Sequence, residues 1–221
     1  QLALRNSIKI APVATLISVS LGTLAAIGLS QSHVPGRRFI MAVMISPMIV
    51  PLIISATGMY FFYSNPYIPT PFGKLEIPVT LTGTYTGVVL SHAALGIPFV
   101  IITVTATLVG FDRSLTRAAA MMGADPVTTF FRVQMPLILP GVISGALFAF
   151  ITSFDEVVIV LFLAGVEQRT IPREMWSGIR EAISPTILAV ATILIAISVL
   201  LLVSLELLRR RNERLRGIKE T

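Results

Sequence analysis

No cysteine occurs in the 221 residues, which excludes disulfide bridges, thiolate metal sites and a cysteine nucleophile. Histidine is almost as scarce, and His33 and His92 cannot by themselves build a zinc site. Charged residues are only 13% of the chain, far below the usage of a soluble globular enzyme. No G-x-x-x-x-G-K-[ST] phosphate loop is present, so any ATP-driven work falls to another polypeptide. No repeat of roughly 20 to 50 residues recurs, which gives no support to a solenoid or an internally duplicated transporter.

What is present is apolar. Hydrophobic residues make up 54% of the chain and the mean hydropathy is +0.86. Charge-free stretches run over Ile10–Ser30, Phe39–Tyr63, Ile77–Phe111, Val133–Phe154 and Ala182–Leu205. Each reaches the roughly 20 residues a helix needs to cross a bilayer. The expected fold is therefore all-α, a polytopic bundle of five transmembrane helices forming one domain over 1–221. The net charge of +6 is not a nucleic-acid signal, because six of the seventeen Lys and Arg lie between Arg209 and Lys219, in a basic tail over 206–221 that follows a span.

Five spans put the chain ends on opposite sides, and the basic residues choose the sides. Arg37, Arg38, Arg113, Arg117, Arg132 and the tail fall on one side; Arg5, Lys9, Lys74, Arg169, Arg173 and Arg180 fall on the other. Eleven against six predicts a cytoplasmic C-terminus in a multi-pass membrane protein. An external start at Gln1 then leads to the expectation of an earlier span, six in all. Pro47, Pro51, Pro98 and Pro140 interrupt the apolar stretches, so neighbouring helices must satisfy freed backbone groups. Gly83 with Gly87, and Gly141 with Gly145, are spaced for close helix approach.

The connection over 112–136 is punctuated as a helix-turn-helix. Ser114 is placed to cap a first helix, Gly123 to end it in the left-handed conformation, Asp125–Pro126 to start a second, and Pro136 to end that one. Leu115, Ala118, Ala119 and Met122 on the first helix, with Val127, Phe130, Phe131 and Gln134 on the second, offer an apolar face outside the membrane. A protein partner is the expected cover.

The run RAAAMMGADPVTTFFRVQMPLILPGV resembles the signature loop of binding-protein-dependent ABC transporter permeases, with Ala118, Ala119, Gly123, Val133, Met135 and Pro136 on its spacing. The motif's Glu is Arg117 here, which reverses a charge. Within that family the chain is most similar to spermidine/putrescine permeases, notably in SGALFAFITSFDEVV and over Thr170–Pro185. The resemblance implies a coupling helix built on Arg117, Ala118, Ala119, Gly123, Ala124, Val133 and Pro136. It also implies a bacterial inner-membrane location, a second permease subunit, two copies of a cytoplasmic ATP-binding subunit that binds the ATP and Mg, and a periplasmic binding protein. No cofactor is expected in this chain.

Asp155 and Glu156 are the only charges between Val133 and Val166, and an Asp at mid-bilayer costs about 2.5 to 3.5 kcal/mol on an insertion scale. On one continuous helix they would diverge by about 100°, with Asp155 on a stripe with Ser144, Phe148, Thr152 and Ile159, and Glu156 following Gly145, Ala149 and Ser153. Asp155 is the expected attractor for a cationic small-molecule substrate, and Glu156 an internal hydrogen-bonding or ion-pair group. Phe148, Phe154, Tyr60, Tyr85 and Trp176 are the aromatic candidates for cation–π contact along the path. His92 reads as a buried, hydrogen-bonded side chain. The segment 167–184 reads as an external amphipathic helix, capped by Thr170 and opened by Pro172, with Ser184 capping the last span. Three readings follow: an importer subunit for a polyamine or similar amine; the same architecture importing an amino acid, γ-aminobutyrate or an opine; and an intramembrane enzyme or channel, for which no catalytic constellation is visible.

Overall fold

The structure, a computed structural model, describes residues 1–30, 34–65, 67–70, 73–76, 80–181 and 185–215. The element order is α1 (Leu2–Ser30), α2 (Arg37–Ile49), α3 (Leu52–Ser64), β1 (Tyr67–Thr70), β2 (Gly73–Glu76), α4 (Tyr85–Val109), α5 (Ser114–Met121), α6 (Pro126–Thr129), a π-helical turn (Phe130–Gln134), α7 (Met135–Phe154), α8 (Val158–Leu163), α9 (Ile171–Glu181) and α10 (Pro185–Leu215). The helical expectation holds, with one addition. Tyr67–Thr70 and Gly73–Glu76 form a small antiparallel hairpin in register Tyr67 to Glu76.

Among the described residues, three helices are long and apolar enough to cross a membrane: Leu2–Ser30, Tyr85–Val109 and the continuous rod Pro126–Phe154. A fourth crossing exists if α2 and α3 count as one, since they meet at 105°. The prolines explain that bend. Pro51 has no N–H to donate and forces Val50 out of the helical region, to φ −69°, ψ 133°. Pro47, by contrast, stays inside α2. The last helix contributes a shorter apolar stretch, Leu188–Ser204. Ser184, His33 and the tail beyond Leu215 lie outside the described residues.

The centre of the fold is α1, α4 and α7 packed on one another. In lipid the hydrophobic effect does not drive helices together, so contact depends on small residues and interhelical hydrogen bonds. Both occur here. A Cβ on Gly145 would come within 2.6 Å of Thr103 Oγ1 and 2.8 Å of Val100 Cα, and one on Gly141 within 2.7 Å of the Thr103 carbonyl. Ala26, Val100, Val104, Ile138, Val142 and Ala149 fill the space between. Ser18 Oγ on α1 lies 2.9 Å from the Ala93 carbonyl on α4, and His92 Nδ1 on α4 lies 2.8 Å from Ser153 Oγ on α7. The pair Gly83 and Gly87 does not form a helix stripe. Gly83 has φ +70° in the turn before α4, where its N–H donates to the Leu163 carbonyl.

Candidate functional site

The connection 112–136 folds as a small self-contained unit. Gly123 has φ +84°, and the hydrogen bonds around it form a complete Schellman turn. The Ala124 N–H donates to the Ala119 carbonyl and the Gly123 N–H to the Ala120 carbonyl, each at 3.0 Å. The motif's alanines thereby acquire a local reason, because Ala119 is buried against this turn while Ala118 faces out. Asp125 caps α6 as expected, its carboxylate accepting from the Val127 and Thr128 N–H groups and the Thr128 hydroxyl. The Thr128 hydroxyl, joined by those N–H groups, holds the Asp125 carboxyl below its ordinary value.

Two details depart from expectation. Ser114 is not the cap of α5; Asp112 is, accepting from the Ser114 N–H at 2.8 Å and its hydroxyl at 2.7 Å. Those bonds, the hydroxyl's first, lower the Asp112 carboxyl as well. Pro136 does not end the second helix either. The rod widens into a π turn over Phe130–Gln134, where the Met135 N–H reaches back to the Phe130 carbonyl. A wider turn displaces the carbonyl that a proline ring would otherwise strike, so the helix runs through Pro136 into α7.

The unit leaves apolar side chains uncovered. Met121 and Met122 are 89% and 83% exposed, and Val127 and Phe131 more than half. Arg117 is exposed and forms no ion pair among the described residues, while Val133 is half-buried and Pro136 exposed. Expected coupling residues thus lie on one compact platform.

The expected path residues are not gathered in this way. The helix breaks after Phe154, so Asp155 and Glu156 do not lie on one continuous helix, and the stripe linking Asp155 to Ile159 does not exist. Glu156 is 7% exposed, and its Oε1 accepts from the Ile159 N–H at 2.9 Å at the start of α8. Its structural expectation fits that geometry. Asp155 ends α7, is exposed, and makes no side-chain hydrogen bond among the described residues. Thr152 is half-buried on the last turn of α7, Phe148 stacks on Phe99 of α4, and Phe154 stacks on Phe150. Tyr60 is exposed on α3, and Trp176 is half-exposed on α9. Of these, Phe154 alone lines the cavity of about 700 Å³ between the start of α1, α9 and α10, which is mostly apolar and also touches Arg169 and Glu174.

Tyr85 serves a clasp that sequence reasoning missed. Asn6, 1% exposed on α1, donates through Nδ2 to the Glu167 carbonyl at 2.7 Å and the Arg169 carbonyl at 2.8 Å. Tyr85 Oη lies 2.8 Å from Asn6 Oδ1 and 3.0 Å from the same Glu167 carbonyl. Next to it Ser7 Oγ accepts the Ile171 N–H at 3.0 Å, so α9 is capped from α1 and not by Thr170, whose own hydroxyl has no partner. Arg173 donates to the Ala164 and Gly165 carbonyls, each at 3.1 Å, closing the end of α8. An Asn–Ser pair in the first turns of an apolar helix was the available signal.

The family described as binding-protein-dependent transport system inner membrane component matches residues 18–214, and the chain belongs to it. It is 30% identical over 207 residues to the spermidine/putrescine transport system permease protein PotC of Haemophilus influenzae, covering 94% of this chain and 76% of that protein. It is also 31% identical over 197 residues to a probable molybdenum ABC transporter permease of Haloferax volcanii, covering 89% and 71%. The fold resembles that in the crystal structure of a bacterial ABC transporter involved in the import of the acidic polysaccharide alginate, with a TM-score of 0.73 at 14% identity over 95% of this chain and 78% of that one.

Proposed function

We infer that this subunit forms half of the membrane path of an ATP-driven importer and passes a polyamine such as spermidine or putrescine. The observation that carries the importer mechanism is the α5–α6 platform: a hydrogen-bonded turn at Gly123, the Asp112 and Asp125 carboxylates bonded to backbone N–H groups at the two helix starts, and an uncovered apolar face, the form needed to seat in a groove of a separate ATPase. Two copies of that ATPase close on nucleotide and move the two permease subunits, and a periplasmic binding protein delivers the cargo. With α2–α3 and α10 counted as crossings, the chain spans the inner membrane five times and ends in the cytoplasm, because Arg37, Arg38, Arg113, Arg117, Arg132 and the basic tail outnumber the basic residues of the other side by eleven to six.

The cargo reading is supported by the PotC relative and by Asp155, an unpaired carboxylate at the end of α7 with Phe148, Thr152 and Phe154 on the preceding turns. The same architecture carrying an anionic cargo is the second reading, favoured by the molybdenum relative. Uptake of labelled putrescine and spermidine decides between them, in cells expressing all subunits against cells with an inactive ATPase. ATP-dependent amine uptake that falls at least tenfold in Asp155→Asn, with assembly and basal ATPase kept, is the expected result. Amine uptake unchanged in that variant removes Asp155 from the path, and absent amine uptake with molybdate uptake present favours the second reading.

A further inference from the structure

A cavity of about 530 Å³ opens between the last turn of α1, the first turns of α2 and the end of α4. Its rim carries Arg37, Arg38 and Arg113, and its walls include Leu108 and Val109. Arg113 donates to the Ser30 carbonyl, which fixes one guanidinium at the rim. Arg37 and Arg38 pair with no carboxylate among the described residues. Asp112, the residue before Arg113, is engaged by Ser114 and does not line the cavity.

Two further features point the same way. Among the described residues, no side chain caps the first N–H groups of α2: Gly36, with φ +67°, precedes them, and no acidic residue occupies the first turn. Thirteen residues of helix direct their positive end at this rim. Thr105 also lines the cavity, its hydroxyl buried and without a partner among the described residues. Phe39 on α2 and Val109 on α4 are 74% and 85% exposed, so an apolar surface adjoins the mouth.

We propose that this cavity binds the phosphodiester headgroup of an anionic phospholipid, with Arg37, Arg38 and the α2 N–H groups on the phosphate and the acyl chains along Phe39 and Val109. Charge complementarity specifies an anion. The adjoining exposed apolar surface specifies a lipid over a free ion, because inorganic phosphate would gain nothing from Phe39 or Val109. The site does not depend on which cargo the transporter carries.

The test uses the purified complex of all subunits, titrated with dioctanoyl phosphatidylglycerol, dioctanoyl phosphatidylcholine or inorganic phosphate, with retained adducts read by native mass spectrometry. Wild type is expected to hold phosphatidylglycerol at least tenfold more tightly than phosphatidylcholine. The double substitution R37Q/R38Q is expected to weaken it about tenfold or more, at about 1 kcal/mol per basic residue. The double substitution R5Q/K9Q, at the opposite end of α1, serves as a charge-matched control and is expected to leave retention unchanged. Equal retention in wild type and R37Q/R38Q, no preference for phosphatidylglycerol, or inorganic phosphate bound with the same arginine dependence would each overturn the proposal. So would loss of the ATPase subunit from R37Q/R38Q with lipid retention intact, since the arginines would then serve a protein.

Discussion

The two ends of the bundle are held by different kinds of bond. At the α9 end, buried Asn6 and Ser7, half-buried Arg173 and the more exposed Tyr85 tie segments together, and Asn6, Ser7 and Tyr85 bridge elements far apart in sequence. At the α5–α6 end, Asp112, Gly123 and Asp125 bond only to residues within a few positions, all of them exposed. One end is stabilised by belonging to the rest of the molecule. The other holds its own shape through local bonds and joins the rest through its continuations into α4 and α7 and the Arg113 bond to the Ser30 carbonyl. A segment that must transmit force to a separate protein gains from that arrangement, because its internal geometry survives while the bundle beneath it rearranges.

The contrast can be broken most severely at Asn6. Asn6→Leu leaves the Arg169 carbonyl without its donor and the Glu167 carbonyl with Tyr85 alone, and should cost about 2 to 4 kcal/mol. A lower Tm of the purified complex, with faster proteolysis over 164–171, is the expected observation; unchanged resistance there would mean that the clasp holds nothing. Gly123→Val should cost roughly 1 to 3 kcal/mol through φ +84°, but only locally. Co-purification of the ATPase should fall while Tm holds, and Gly123→Asn, which tolerates that conformation, should restore it.

Acid should separate the ends further. Asp112 and Asp125 have folded values below their ordinary ones, so the stability they contribute is fully present above about pH 4 and lost as the pH falls through the folded values. Amide exchange at Val127 and Thr128, corrected for intrinsic rates, should therefore speed up in acid. Ile171, held by a hydroxyl that does not titrate there, should keep its protection. The smallest effect belongs to Tyr85→Phe, about 0.5 to 1.5 kcal/mol, read as a slight loss of protection at the α9 end. A double-mutant cycle with Asn6→Leu should show coupling between the two.

The same difference decides what could be read from the chain. Gly123, Asp125–Pro126 and the Gly141–Gly145 spacing were legible because each acts through its own backbone or its own helix face. The capping of α9 by Ser7 was not, since Thr170 sat in the expected position and the true partner lies 164 residues away. The break after Phe154 carries neither proline nor glycine. It becomes intelligible once the Glu156 carboxylate is seen to take the Ile159 N–H, a bond that competes with continuing the helix. Asp155 could be singled out by cost alone, but its neighbours could not be chosen from an unbroken periodicity that the chain does not follow.

The π turn over Phe130–Gln134 has a consequence for orientation. Such a turn holds one residue more than an α-helical turn, and one residue is worth about 100° of rotation about the rod. Delete one residue there and the rod could close up as plain α-helix, but everything before it would swing by more than a quarter circle relative to Gly141, Gly145 and Ala149, which press on α4. The number of residues in that short stretch therefore works as an angular setting, and the direction in which Met122, Val127 and Phe131 face is decided by backbone count before any side chain is chosen.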